Sequence, residues 1–315
     1  MEKVVFRVRL AALTGIVIIS FSAIFVRLGG QSPITTGFFR AAYSGVALFL
    51  LSRLLDRGRI RPARLSRLAM AAGAALAFDL YFWHQSIELI GAGLSTIVAN
   101  TQVPFVGLAA WLLYRERPHA RVFFAIPLVL LGVILISGLN TAGAYGADPI
   151  GGTLLASMAG VVYAIFLVLL RASAKGGVNP MTPLSEAMLS AAVVSLLIGF
   201  VDGGLDVAFT WPAHGWLLAL ALGCSVIGWG LISHAITRLP ALETSVMLML
   251  QPMLTMLWAA PIFGEWISAV QWAGVGLVIS GIGYLSIRGS VREERPAPKP
   301  APSPSREATA EGDPA

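Results

Sequence analysis

About ten runs of some twenty apolar residues, separated by short connections that hold charge, Gly or Pro, constrain this chain more than any other feature. They fall at roughly 10–27, 34–52, 68–88, 91–114, 120–139, 151–171, 183–201, 214–237, 241–263 and 268–287. Continuous runs of that length satisfy their own backbone in lipid only as helices, because barrel strands would alternate over about ten residues. Composition agrees: 57% of the residues are apolar and 12% charged, where a soluble domain carries roughly 25% charge. The mean hydropathy is +0.79. Spans of this length fill nearly all of the 315 residues, which excludes a large soluble catalytic domain. The stretch from Lys3 to Leu28 is basic and then apolar, as a signal peptide is. No small-x-small cleavage pattern leads from it into a soluble domain, so it reads as an uncleaved first span.

The net charge of +6 is explained by topology. With the N-terminus placed inside, 20 of the 22 Lys and Arg residues fall on one side, including the cluster from Arg53 to Arg67 and the group Arg115, Arg117 and Arg121. The opposite loops carry Glu88, Asp148, Asp202, Asp206 and Glu265. Cationic loops stay cytoplasmic, so both termini are expected there in a multi-pass inner-membrane protein, and no nucleic-acid partner is needed. The single cysteine, Cys224, cannot form an intramolecular disulfide. Residues 288–315 hold Pro and charge with almost no large apolar side chain, and are expected to form a disordered cytoplasmic tail.

The chain also repeats itself at an offset of 148 residues, rising to 149. Leu94, Thr96, Val98 and Pro104 recur as Leu242, Thr244, Val246 and Pro252; Glu116 meets Glu265; and LVLLGVILIS at 128–137 matches LVISGIGYLS at 277–286. Each half would hold five helices, and an odd number threads the second half upside down. The expected fold is therefore an all-α integral membrane protein of ten transmembrane helices in two inverted five-helix repeats, an architecture recurrent in secondary transporters. The repeats are placed at 1–139 and 151–287, with an external linker at 140–150.

The stretch Ala77–Gly138 resembles the repeat unit of the ten-helix EamA-type exporters of the drug/metabolite transporter superfamily. It has a helix ending near Glu88, a turn with Gly91 and Gly93, a helix with mid-span Pro104, an acid at Glu116 and a Gly-rich last helix. A second copy runs from about Ile227 to Gly283 with Pro252 and Glu265 in matching places. The resemblance implies a transporter, usually an exporter of small metabolites such as amino acids, that works by alternating access. Arg40 resembles an Arg that the family often has early in its second helix, whereas the equivalent position in the second half is Ser190, so its role should be asymmetric.

Asp79 is the sharpest single signal, since it lies roughly 18 Å along its helix from Arg67, near mid-membrane, where an ionised carboxylate is costly. It is read as a substrate counter-ion or proton-coupling group, or else as a protonated acid bonding a neighbouring helix. Trp83, one turn on, forms an aromatic wall or faces lipid. Asn100, Gln102 and Gln251 precede Pro104 and Pro252, whose rings free carbonyls that can serve as ligands or merely kink the helix. Tyr163 and Trp229 are mid-span aromatics on helices that the resemblance places around the central cavity, and read as cavity lining or as packing. These seven residues make up the expected substrate site.

Arg40, His84 and Glu88 are gating candidates, with snorkelling, helix-tying or anion contact open for Arg40 and a hydrated helix end open for the other two. His234 reads as interfacial, Glu186 and Glu243 as helix-dipole caps, Glu116 and Glu265 as structural, and Met247, Met249, Met253 and Met256 as deformable packing.

Neither a cofactor nor a metal is expected, and the nucleotide-binding, metalloprotease and serine-hydrolase motifs are missing. The chain is therefore expected not to be an enzyme. Expected partners are a small-molecule substrate and the bilayer, with a homo-oligomer allowed. The competing functions are uptake or exchange of phosphorylated sugars or nucleotides, for which Arg40 alone supplies intramembrane positive charge, a membrane-embedded enzyme, and a sensor without flux.

Overall fold

The computed structural model describes residues 2–56, 61–101, 120–136, 145–174, 179, 181–236, 247–248 and 250–289. Helices supply all of the regular structure among the described residues: α1 (Glu2–Ser20), α2 (Ser22–Gly29), α3 (Pro33–Asp56), α4 (Ala63–Ala99), α5 (Ala120–Ile136), α6 (Pro149–Ser173) and α7 (Met181–Asp202). α8 (Ala213–Leu218) then continues through a π-helical stretch (Ala219–Gly228) into α9 (Trp229–Ile236), followed by α10 (Leu250–Phe263) and α11 (Ala269–Gly289). Six helical segments are long and apolar enough to cross a membrane, and three described ones are shorter.

Local chemistry sets the ends. Asp148 accepts a hydrogen bond from the Gly151 amide at 2.9 Å, and Pro149 occupies the first turn, where a missing N–H costs nothing. Asn179 caps the start of α7 by accepting from the Met181 amide at 3.0 Å. α1 and α2 are one apolar span, Phe6–Gly29, interrupted at Phe21. Thr255 Oγ1 donates to the carbonyl of Ser20 there at 2.9 Å, and Trp258 Nε1 donates to the Ser20 hydroxyl at 3.0 Å.

α4 has 37 residues, about 55 Å of helix and too much for one crossing. Gly91 breaks it with φ 78° and ψ 169°, a backbone conformation that glycine alone adopts cheaply. The Ser95 hydroxyl reaches the Trp83 carbonyl at 3.5 Å and bonds the Ser86 hydroxyl, so the arm after Gly91 folds back along the arm before it. The expected spans 68–88 and 91–114 thus meet at a hairpin, and the second lies within the described residues only as far as Thr101.

The main helix pairings cross between the two sequence halves: α4 packs on α6 and α7, α3 on α7, α5 on α11, and α1 on α9. Small residues permit this. An added Cβ at Gly73 would sit 2.1 Å from the Ala187 carbonyl oxygen, and Cβ atoms added at Gly132 and Gly274 would sit 2.7 and 2.6 Å from the other glycine's carbonyl oxygen. Close backbone approach of this kind stabilises helix pairs where lipid removes the hydrophobic drive. The α3, α4, α6 and α7 core is correspondingly lean, built on Ala41, Ala72, Leu76, Ala187 and Ala191. Large apolar side chains lie outside instead, with Leu54 and Phe200 each 76% exposed. Such a surface suits acyl chains and would aggregate in water.

Polar clusters close the bundle at both ends. At one end Arg61 pairs with Glu186 and donates to the Ser173 carbonyl, while Asp56 accepts from the Asn179 amide at 2.9 Å. At the other end lie Glu265, paired with Arg27, and Asp202, which accepts from the Tyr81 hydroxyl at 3.1 Å. The tail from residue 290, the linker residues 140–144, Glu116, Glu243 and Pro104 fall outside the described residues.

Candidate functional site

The first arm of α4 carries Asp79 about 18 Å before the hairpin at Gly91, in the middle of the bundle. Asp79 is buried and forms no hydrogen bond or ion pair among the described residues. Across from it α3 supplies Arg40, also buried, with Asp79 and Tyr163 in Coulombic range of its guanidinium. Arg40 Nε donates to Ser225 Oγ at 3.2 Å, its guanidinium carbon lies 5.6 Å from the centre of the Trp83 ring, and Nη1 has no partner. Ser225 comes from the π-helical stretch, where its hydroxyl also reaches the Leu220 carbonyl five residues back at 3.4 Å. π-Helical turns widen the backbone and recur at functional sites.

His84 lies one turn above Asp79 and Leu80 on α4 and is 1% exposed. Its Nδ1 is 3.2 Å from the Pro33 carbonyl at the start of α3, and Nε2 is unpartnered. Ser195 of α7 also buries an unpartnered hydroxyl. A single point beside Gly37 lies 3.8 Å from His84 Nδ1 and 3.9 Å from Ser195 Oγ.

Several expectations change against this geometry. Arg40 does not snorkel: it is 9% exposed and points among helices. His84 is no hydrated helix end, and it does not pair with Glu88, which is exposed near the hairpin. Trp83 faces the interior, packed against two buried clusters, so its lipid-facing alternative falls away. Tyr163 packs on the same core as Asp79's neighbours, 5.3 Å from Phe166. Trp229 joins a separate cluster around Ile16, Ile19 and Ile232. Asn100 turns its amide back to the Thr96 carbonyl at 2.7 Å, and Gln251 sits half-buried at the start of α10. Glu186 is an ion-pair partner of Arg61 and accepts from Ser66 at 3.0 Å, more than a helix-dipole cap. Gln102 and the side chain of His234 lie outside the described residues.

Glu265 forms a second polar centre at the hairpin. Its carboxylate accepts from the Ala92 and Gly93 amides at 2.8 and 2.9 Å and pairs with Arg27, whose guanidinium stacks 4.3 Å from the centre of Phe263. Those two amides open the returning arm of α4 and lack helical acceptors, so a carboxylate there satisfies the backbone and the helix dipole together.

A polytopic helical bundle with apolar flanks and an ionisable pair enclosed between its two halves is the build of a membrane transporter. The sequence matches the EamA-like transporter family over residues 7–138 and again over 150–287, and the chain belongs to that family. It is 22% identical over 267 residues to the uncharacterized transporter YwfM of Bacillus subtilis (strain 168), covering 84% of this chain and 88% of that protein. A solved crystal structure, 17% identical, superposes with a TM-score of 0.58 over 88% of this chain and 96% of the other, a likeness of fold.

Proposed function

We propose that this protein is a secondary transporter that exports small metabolites, amino acids foremost, by alternating access between two inverted five-helix halves. The observation that carries the reading is the enclosure of Asp79 and Arg40, without an ion pair between them, at mid-depth where helices of both halves meet. Isolated ionisable groups at that depth are costly, and a permeating polar substrate compensates them. Trp83 and Ser225 meet Arg40 in the same region, and Asp79 is the candidate group for proton exchange in the transport cycle.

The test is efflux of an amino-acid and metabolite panel from liposomes holding the purified protein, with and without a pH gradient. Selective flux is expected, lost in Asp79→Ala. Asp79→Asn should uncouple the residual flux from the gradient; a pH dependence identical to that of the unaltered protein, at normal insertion, overturns the coupling role. Saturable binding with no flux in correctly inserted protein overturns the transporter reading in favour of a sensor.

A further inference from the structure

Three arginines cluster where α4 begins, and the fold uses one of them. The Arg61 side chain is 4% exposed, pairs with Glu186 and donates to the Ser173 carbonyl. Arg64 and Arg67 are exposed, and neither pairs with a carboxylate among the described residues. The acids at this end are already engaged. Glu186 holds Arg61 and accepts from the Ser66 hydroxyl at 3.0 Å, and Asp56 accepts from the Asn179 amide at 2.9 Å and from the Thr182 hydroxyl. The first turn of α4 contains no acid, and Pro62 before it offers no side-chain cap, so the charge of Arg64 stands against the helix dipole with nothing local to offset it.

Arg64 and Arg67 are three residues apart on one face of the helix, with Cβ atoms about 5–6 Å apart, close enough for both guanidinium groups to reach a single phosphate. Above them the same side of α4 turns apolar. About 16 Å of helix leads from Arg67 to Phe78, which is exposed, and Met70 borders that stretch, also exposed. There Ser190 of α7 donates to the Met70 carbonyl at 2.8 Å, and Val193 and Leu197 carry the exposed apolar surface on to α7. Two uncompensated cations at the foot of an apolar face match an anionic phospholipid along its length, headgroup to acyl chain.

The geometry points to a binding site for an anionic phospholipid on α4 and α7, with Arg64 and Arg67 holding the headgroup phosphate and Met70, Phe78, Val193 and Leu197 meeting the acyl chains. Charge selects the lipid. Phosphatidylcholine would bring its own quaternary ammonium toward the two guanidinium groups, whereas phosphatidylglycerol brings the phosphate without an opposing cation. The site goes beyond the transport reading and does not rest on it.

Native mass spectrometry of the full chain in detergent tests this, with phosphatidylglycerol and phosphatidylcholine of identical acyl chains as the probes. Phosphatidylglycerol is expected to bind more tightly. Arg64→Gln and Arg67→Gln should each weaken it by about fivefold, the pull of one Arg on an anionic membrane surface, and leave phosphatidylcholine unchanged. Arg64→Lys keeps the charge and should retain most of the affinity. Arg7→Gln makes the same charge change at an exposed position of α1, a helix that packs on α9 and α10, and should leave phosphatidylglycerol binding as it was.

Equal affinity for the two lipids overturns the proposal, and so does unchanged phosphatidylglycerol binding in both Arg→Gln variants of α4. An equal loss in Arg7→Gln assigns the preference to diffuse attraction by the whole basic end and overturns the site. Displacement of phosphatidylglycerol by millimolar inorganic phosphate would make it a site for a free anion, which also overturns the lipid assignment. None of these readouts involves flux, so the lipid site and the transporter reading stand or fall separately.

Discussion

Arg40 shows how a single residue's burial is tolerated. Its side chain is 9% exposed, and its charge is offset by a hydrogen bond to Ser225, by the face of Trp83 and by Asp79 at longer range. Ser225→Ala removes the hydrogen-bond acceptor of Nε. The expected loss is about 1.5–3 kcal/mol, the size of an unmade hydrogen bond to a charged group, read as a lower thermal midpoint in detergent. Arg40→Gln should be insensitive to the further Ser225→Ala change, because the charged donor is already gone. At this scale Asp79 was legible in the sequence, since a carboxylate inside an apolar run announces its own cost. Ser225 was not: a lone Ser among Gly, Cys and Val is common in membrane helices and acquires meaning only through a partner 185 positions away.

Among the elements, the α4 hairpin is where conformation, electrostatics and packing converge. Gly91 is needed twice over, for its positive φ and because an added Cβ would lie 2.6 Å from the Glu265 carboxyl carbon. Gly91→Ala is expected to destabilise by about 1–3 kcal/mol. Glu265→Ala leaves the Ala92 and Gly93 amides without acceptors and should cost about 1–3 kcal/mol for each buried group, with Glu265→Gln milder because it keeps one acceptor oxygen. Thermal unfolding of the three variants in one detergent checks the order. Turn glycines at 91 and 93 were visible in the sequence, and the acid at 265 was noted for its match to Glu116. That the acid of one half caps a helix of the other was not visible, because capping at long range leaves no local spacing to recognise.

For the whole molecule, the halves interlock: α4 pairs with α6 and α7, α3 with α7, α5 with α11, and α1 with α9. The polar clusters at the two ends tie the same halves together, Arg61 to Glu186 at one end and Arg27 to Glu265 at the other. A topology with cytoplasmic termini places Arg64 inside and Glu88 outside, about 36 Å apart along α4. In a Cys224→Ser background, Arg64→Cys and Glu88→Cys are therefore expected to react with impermeant maleimide from opposite faces of oriented vesicles. Both positions are exposed, whereas Cys224 is fully buried and donates to the Ile18 carbonyl at 3.1 Å. Labelling of both from the same face would refute the orientation.

The sequence by itself determined the helices and the duplication. Each of these is written in near neighbours or in a fixed repeat: span length answers to bilayer thickness, and unpaired backbone in lipid leaves helix as the solution. The tertiary structure decided which polar side chains meet. It brought Arg40 from the membrane boundary into the interior beside Asp79, buried His84 against Pro33, sent Trp229 to another cluster, and gave Glu265 the hairpin to hold. Those outcomes depend on helix rotation and on close approach at small residues such as Gly73, and a hydrophobic run that is apolar all round encodes little of either.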